Sequence, residues 1–228
     1  MAFWRRSSLE LRRRWWRSRV SPGPLRDYLE GPTVDLETDW REVEYLVLDF
    51  ETTGVDPGVH EILSAGYLEV GHQAVRLETK RHRLVRPEGA LTAKTVIIHG
   101  ITHDLSAEGL PEEMVLGKLL AALAGRVLVG HHVATEVNFL SHACRRLFGA
   151  PFVGPAIDTL ALEIDAMQRA GLQPKRGDLR LGGARARRGL PRYRAHNALI
   201  DALATAELFL AQATDLGTPR LGELLAKG

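Results

Sequence analysis

The sequence predicts an α/β domain with a mixed β-sheet and helices on both of its sides, preceded by a basic N-terminal segment. Three apolar runs of strand length follow one another between residues 45 and 85, which is typical of hairpins. After residue 112, helical apolar spacing alternates with one further apolar run, which places helices against the sheet. At 228 residues the chain is long enough to bury a substantial core.

The predicted strands come first along the main domain. Residues 45–51 are apolar almost throughout and predict a buried central strand. Residues 61–70 and 74–85 predict the second and third strands, joined by a turn at Gly71. Residues 126–130 predict a short fourth strand. Together these runs indicate a sheet that begins as a meander.

The predicted helices follow the third strand. Apolar residues recur at helical spacing in residues 112–124, and a second helix is predicted from about residue 135 to residue 148. Two more helices are predicted at residues 159–170 and 197–213. The sequence contains no internal repeat, which excludes solenoid and propeller architectures.

Two carboxylates interrupt the first predicted strand near its end. Asp49 and Glu51 stand two residues apart, so their side chains point to the same face of the strand. Two adjacent carboxylates in a core strand cost desolvation and repulsion, and a divalent cation would remove both penalties. The alternative is an edge strand with a solvated polar face, which the flanking apolar residues disfavour. The pair therefore predicts a metal site.

Two further carboxylates lie at apolar positions of predicted helices. Glu136 shares a helix face with Leu140 and Ala143, but it also lies in a first helical turn, where the helix dipole alone could stabilise it. Asp201 stands in a helix that is apolar almost all round, so little solvent remains for it to face. This favours a metal ligand at Asp201 and leaves two interpretations of Glu136.

His196 immediately precedes the helix that carries Asp201, with Asn197 as a natural N-cap. A loop position would let its imidazole reach over the metal site, although a lone histidine is more often a surface or core residue. Carboxylates without cysteine ligands favour Mg²⁺ or Mn²⁺. Two such ions about 3.5–4 Å apart, with a neutral histidine as general base, suit the attack of water on a phosphodiester.

Positive charge is concentrated in two segments, although the formal net charge is only +2. Residues 1–30 predict one basic helix, which could dock on the domain or contact nucleic acid or a membrane surface. Residues 173–194 set eight cations against the single acid Asp178, which favours binding of a phosphate-bearing polyanion. These eight cations are Lys175, Arg176, Arg180, Arg185, Arg187, Arg188, Arg192 and Arg194.

Cysteine content and hydropathy exclude several classes of protein. A single cysteine, Cys144, excludes an intramolecular disulfide and a cysteine-based zinc site. No apolar run has the length of a transmembrane helix, and the N-terminus lacks the apolar stretch of a secretory signal. We therefore expect a cytoplasmic protein with no transmembrane segment.

Four short motifs resemble those of the DEDDh 3′–5′ exonucleases, in the order and spacing of that family across residues 44–213. Residues 49–54 (DFETTG) resemble its first motif, and residues 98–102 (IHGIT) resemble its substrate-side element. Residues 129–140 resemble the second motif, and residues 196–202 (HNALIDA) resemble the third. The pattern is similar to that of the proofreading epsilon subunit of bacterial DNA polymerase III.

The resemblance implies a ribonuclease H-like fold, with a five-stranded mixed sheet flanked by helices, over residues 44–228. Residues 1–43 would then form a basic, partly helical appendage. The carboxylates implied to hold two Mg²⁺ or Mn²⁺ ions are Asp49, Glu51, Glu136 and Asp201, and the implied general base is His196. The residues implied to contact the terminal nucleotide are Thr52, Thr53, Gly54, His99 and Phe139. The implied substrate is a nucleic acid with a free 3′ end, and the products are nucleoside 5′-monophosphates.

Glu136 departs from the family pattern, which has aspartate at this position. One extra methylene moves the carboxylate by about a bond length, whereas metal–ligand distances vary by only about 0.2 Å. A contact through water would absorb this change, and a direct contact would alter activity or metal preference. We expect an active exonuclease on DNA, with two alternatives: an exoribonuclease, or a nucleic-acid-binding protein whose catalysis Glu136 impairs. Because the chain reaches Gly228 soon after its last long helix, we do not expect tethering to a polymerase through a C-terminal tail.

Overall fold

The computed structural model describes residues 2–87, 109–194 and 196–227, without the side chains of residues 2–8, 226 and 227. The strands within these ranges are β1 (Tyr45–Thr52), β2 (Ile62–Gly71), β3 (Ala74–Leu84), β4 (Val127–Gly130) and β5 (Ala156–Asp158). The α-helices are α1 (Ala2–Arg17), α2 (Pro24–Glu30), α3 (Glu112–Leu123), α4 (Ala134–Phe148), α5 (Thr159–Arg169), α6 (Leu181–Arg187), α7 (Ala198–Asp215) and α8 (Leu221–Lys227).

The strands form one mixed sheet in the order β3-β2-β1-β4-β5. β1 runs antiparallel to β2, and β2 runs antiparallel to β3, as the predicted meander requires. On the other side, β1 is parallel to β4 and β4 is parallel to β5. β1 is therefore the central strand, and because both of its faces are covered, apolar residues run along it almost without interruption.

Residues of β1 alternate between two apolar layers. Leu48 packs with apolar residues of α3 and α4 on one face of the sheet, whereas Val47 packs with Phe209 of α7 on the other. Because successive side chains of a strand point to opposite faces, Asp49 and Glu51 point to the α7 face. The fold thus directs both acidic side chains of the first motif toward the last long helix.

The N-terminal segment packs on the domain. Val20, Leu25 and Tyr28 are buried in the same apolar layer as residues of α3 and α4. Arg13 of α1 is also buried, and its guanidinium donates to the carbonyl oxygens of Val153 (3.1 Å) and Tyr28 (2.6 Å). Docking of the basic helix, one of its predicted interpretations, is therefore confirmed, while the domain boundary at residue 43 stays a prediction.

Four short elements were not predicted from apolar spacing: α2, α6, α8 and β5. Proline suits the first turn of a helix, and Pro24 begins α2. β5 has only three residues, too few to show periodicity, and was expected only as the fifth strand of the resembled fold. Among the described residues, no helix is both long and apolar enough to cross a membrane.

Candidate active site

Three carboxylates converge where β1 ends and α7 begins. Asp49, Glu51 and Asp201 each place an oxygen atom within 4.8 Å of the others, and we call these three residues the carboxylate cluster. Glu51 is buried, and the other two are half-buried. Carboxylate oxygens at this spacing, from residues 150 positions apart in sequence, form a donor set suited to a hard divalent cation.

α7 reaches the sheet because Gly66 of β2 has no side chain. Gly66 is the register partner of Asp49 in the β1–β2 ladder. A Cβ atom at Gly66 would overlap the backbone of Ala198 and Leu199, in the first turn of α7. The helix therefore lies directly against β2, and Asp201 on that first turn comes level with Asp49.

His196 joins the cluster through its backbone. It adopts a left-handed conformation, with φ of 70°, just before α7. Its N–H donates to Asp201 Oδ2 at 2.8 Å, and Asn197 Oδ1 caps the helix by accepting from Ile200 N–H at 3.2 Å. The His196 side chain is exposed. This loop therefore fixes the Asp201 carboxylate and leaves the imidazole accessible to water.

The protonation of the cluster reflects burial and crowding of like charges. Burial raises the pKa of Asp49 well above its usual range, and the charges of Glu136, Asp201 and Glu51 raise it further. Burial, followed by the charge of Asp201, raises the pKa of Glu51 to about 7. Burial also raises the pKa of Asp201, although the backbone N–H groups of His196 and Asn197 counter this. A cation among the three would favour their charged forms.

Glu136 lies in the first turn of α4, as predicted, and is buried. Within the described part of the chain, its Oε2 atom has no hydrogen-bond partner. Burial raises the pKa of Glu136 to about 8, with a further rise from Asp158 and a partial offset by the Phe50 N–H. The helix dipole explains an exposed first-turn glutamate, but it does not explain burial of an unpartnered oxygen. This orphaned oxygen fits a cation ligand beside the three-residue cluster.

The last residues of the first motif hold the β1–β2 loop closed. Thr52 Oγ1 donates to the Gly54 carbonyl oxygen at 2.7 Å, and Thr53 Oγ1 accepts from Glu61 N–H at 3.0 Å. A Cβ atom at Gly54 would overlap the imidazole ring of His60. The loop is thus braced beside the cluster, and nucleotide contacts by Thr52, Thr53 and Gly54 stay predictions.

The two remaining predicted substrate contacts differ in what the structure describes. Phe139 is buried in the layer formed with α3 and lies in the wall of a cleft with Ile62 and His142. His99, with the rest of residues 98–102, lies outside the described residues. Nucleotide contacts by Phe139 and His99 stay predictions.

Two features of the site were missed by sequence reasoning. Val55 in the β1–β2 loop follows the first motif directly and is 90% exposed. An apolar residue within a turn could have indicated this exposed apolar side chain from the sequence. Asp158, at the end of β5, accepts from the N–H groups of His132 (2.8 Å) and Leu160 (2.9 Å) and adds negative charge near Glu136. An aspartate before a predicted helix is an N-cap signal, which would have identified it.

Three cations of the basic segment 173–194 are engaged in structural ion pairs. Arg185 is buried and pairs with Glu207 at 2.7 Å. Arg187 pairs with the buried Glu163 at 2.8 Å, and Arg188 pairs with the same carboxylate. The prediction that all eight cations serve a polyanion is therefore too broad. The exposed cations that remain are Lys175, Arg176, Arg180, Arg192 and Arg194.

Comparison with known proteins identifies relatives among DNA polymerase components. Residues 46–209 match the sequence pattern of a protein family described as Exonuclease. The chain is 30% identical over 174 residues to a DNA polymerase III PolC-type of Thermotoga maritima, covering 76% of this chain and 12% of that protein. It is 30% identical over 183 residues to a DNA polymerase III subunit epsilon-like protein of Rhodobacter capsulatus, covering 79% and 25%. The chain thus spans a quarter or less of the length of these relatives.

Solved structures share the fold at low sequence identity. Cell-death related nuclease 4 (CRN-4) superposes with a TM-score of 0.67 at 19% identity, over 79% of this chain and 66% of that one. Escherichia coli exonuclease I in complex with a dA16 oligonucleotide superposes with a TM-score of 0.65 at 19% identity, over 81% and 42%. These similarities confirm the predicted ribonuclease H-like fold with its five-stranded mixed sheet.

Proposed function

Because this chain belongs to the DEDDh exonuclease family, as its motifs predict, we propose that it is a metal-dependent 3′–5′ exonuclease acting on DNA. The observation that carries the proposal is the convergence of Asp49, Glu51 and Asp201 at one end of the central strand. The proposed reaction hydrolyses the last phosphodiester bond at a 3′ end and releases a nucleoside 5′-monophosphate. We also propose a cytoplasmic location, with which the buried free thiol of Cys144 is compatible.

The donor set supports two Mg²⁺ or Mn²⁺ ions. We assign Asp49, Glu51 and Asp201 to one ion, and Glu136 together with Asp49 to the other. Buried carboxylates with raised pKa values and the orphaned Oε2 of Glu136 support this assignment. Such ions, when bound, lower the pKa of an attacking water and stabilise negative charge on the phosphate oxygens.

His196 is proposed as the general base. Its side chain is exposed and its backbone contacts Asp201, which supports a role in which the imidazole accepts a proton from water. Its own N–H holds Asp201 Oδ2, so the base and a metal-binding carboxylate are positioned by the same short segment.

The terminal nucleotide is proposed to lie between the β1–β2 loop and α4. Thr52, Thr53 and Gly54 border one side of the cluster, and Phe139 lies in the cleft on the α4 side. The complex of exonuclease I with dA16 supports single-stranded DNA as the substrate proposed for this chain. The five exposed cations of residues 173–194 would bind phosphates near the site.

The proposal is tested with labelled single-stranded DNA, duplex DNA and RNA, each incubated with the full chain and Mg²⁺ or Mn²⁺. A 5′-labelled DNA strand is expected to give a ladder of shorter products, and a 3′-labelled strand is expected to release labelled mononucleotide at once. Faster digestion of RNA would support the exoribonuclease alternative. Binding without digestion of any substrate would contradict the proposal and support a nucleic-acid-binding protein impaired by Glu136.

A further inference from the structure

α1 presents two faces with different surroundings. Leu9 and Trp16 pack against the core layer of α3 and α4, and Arg13 between them is 5% exposed. Since an α-helix turns about 100° per residue, Leu11 and Trp15 point away from this docked side. Leu11 is 64% exposed and Trp15 is 48% exposed. The helix thus keeps two large apolar side chains in solvent although it is anchored to the domain.

Arginines flank the two exposed apolar residues. Helical geometry places Arg14 on one side of Trp15 and Arg12 on the other, and Arg19 follows two residues after the end of the helix at Arg17. All three arginines are exposed, and the Arg19 guanidinium lies 4.0 Å from the centroid of the Trp15 ring. Within the described part of the chain, the side chains of Arg12 and Arg14 make no hydrogen bond or ion pair. We call Leu11, Arg12, Arg14, Trp15 and Arg19 the cationic face of α1.

The cationic face is anchored to the domain by buried contacts on the opposite side of α1. The Arg13 guanidinium lies 4.7 Å from the centroid of the Tyr28 ring and donates to the carbonyl oxygens of Val153 and Tyr28. The end of the segment, Val20, is buried in the core. A pre-organised face loses little conformational entropy when it binds a partner, which favours affinity.

The cationic face lies away from the carboxylate cluster. Arg13 contacts Val153, which comes just before β5, and α1 borders a small cavity with Gly125, just before β4. These positions mark the edge of the sheet where the parallel strands begin, whereas Asp49 lies toward the other end of β1. At about 3.3 Å per residue, the four residues from Tyr45, where β1 begins, to Asp49 span about 13 Å.

We propose that the cationic face of α1 binds single-stranded DNA several nucleotides from the 3′ end that is held at the carboxylate cluster. The part of the Trp15 indole that Arg19 does not cover offers a surface on which a base can stack, and the exposed guanidinium groups of Arg12 and Arg14 match the phosphate backbone. Among the side chains of α1 that the structure describes, two exposed apolar residues interrupted by arginines give a narrower stripe than insertion into a membrane requires. The inference rests on the proposed nuclease function and extends it to a second contact with the same strand.

The test compares binding of fluorescein-labelled dT40 and hydrolysis of dT6 by the full chain. Binding is measured by fluorescence anisotropy in EDTA, for the Trp15→Ala variant and for the Arg12→Gln/Arg14→Gln variant. We expect Trp15→Ala to bind dT40 roughly tenfold more weakly than the wild type, since stacking on one base contributes about 1–3 kcal/mol. We expect Arg12→Gln/Arg14→Gln to bind dT40 roughly tenfold more weakly as well, because two phosphate contacts are lost. Removing two phosphate contacts should also reduce the magnitude of the slope of log K against log[salt] by about 1.4. The rate of dT6 hydrolysis with Mn²⁺ should be unchanged.

The matched control is Arg169→Gln/Arg220→Gln, which removes two cations at other exposed positions that pair with Asp165 and Glu37. This control should retain wild-type affinity for dT40. If the α1 variants bind dT40 as the control does, the proposal is wrong. Binding of the same variants to phosphatidylserine vesicles is measured in parallel. Normal binding to dT40 together with loss of binding to the vesicles would show that this face binds a membrane surface, and the proposal would be wrong. If no oligonucleotide is hydrolysed but the α1 variants still lose dT40 binding, the proposed function fails and the DNA-binding face stands.

Discussion

Gly66 of β2 lies directly against Ala198 of α7, so close that a Cβ atom at Gly66 would overlap the Ala198 backbone. Gly66 is also the register partner of Asp49. The contact therefore sets the distance between the strand that carries Asp49 and Glu51 and the helix that carries Asp201. The geometry of the carboxylate cluster depends on the absence of one methyl group.

Gly66→Ala should therefore disrupt both stability and the site. The backbone of α7 must move away, which we expect to destabilise the protein by about 1–3 kcal/mol in urea unfolding. Mn²⁺ affinity should fall as well, because Asp201 leaves the cluster. The matched control is Gly182→Ala in α6, where a Cβ atom meets nothing within 4 Å and alanine favours the helix. Wild-type stability and Mn²⁺ affinity in Gly66→Ala would contradict this account.

The metal-free protein should lose stability as the pH rises. The folded-state pKa of Glu51 is raised to about 7 and that of Glu136 to about 8, from an ordinary value of 4.5. The folded state thus binds protons more tightly than the unfolded chain, so this stabilisation is complete below about pH 4.5 and is lost through pH 7–8. The melting temperature in EDTA should fall between pH 5.5 and pH 8.5, and saturating Mn²⁺ should reduce the fall. The same fall with and without Mn²⁺ would show that these carboxylates do not bind the ion.

Glu136→Gln separates the two interpretations of this residue. The amide cannot ionise, so the stability of the metal-free variant should not depend on ionisation at this position. The free energy of unfolding of the variant minus that of the wild type should therefore be larger at pH 8.5 than at pH 5.5. If Glu136 holds an ion, hydrolysis by Glu136→Gln should be at least tenfold slower, whereas Glu136→Asp, which restores the family residue, should retain activity. Hydrolysis at the wild-type rate by Glu136→Gln would remove Glu136 from the site.

Arg185 should be the most important cation of the basic segment for stability. It donates to the carbonyl oxygen of Pro191 at 2.9 Å and pairs with Glu207 of α7, so it holds the segment that leads to His196. Arg185→Met should cost about 2–4 kcal/mol in urea unfolding, because charged hydrogen bonds in a buried position are lost. Arg176→Met, at an exposed position of the same segment, should change stability by less than about 0.5 kcal/mol. Equal effects of the two substitutions would contradict the structural role of Arg185.

The longer elements could be predicted from the sequence because their apolar spacing is unambiguous. The predicted bounds of β1, β2 and α4 agree with the structure to within a residue or two. Asp49, Glu51 and Asp201 could be identified for a related reason, since each places a charge where the surrounding pattern demands an apolar residue. A local pattern is sufficient to identify such positions.

Contacts between distant segments could not be predicted in this way. Nothing in the local sequence indicates that Gly66 accommodates Ala198, or that Arg187 and Arg188 share Glu163. In the sequence, the two arginines contribute to a uniform basic segment, and only the packing of α6 beside α5 pairs them. Charge density thus indicated polyanion binding at positions where tertiary structure uses the charge internally.

The most direct test of the central claim is the rate at which 5′-labelled single-stranded DNA is shortened by the wild type and by Asp201→Asn at saturating Mn²⁺. The substitution keeps the size of the side chain and removes the charge that Asp201 adds to Asp49 and Glu51. We predict a ladder of products from the wild type, and a rate at least a hundredfold lower from a variant with wild-type circular dichroism. Equal rates for the two proteins would contradict the assignment of the carboxylate cluster as the catalytic metal site.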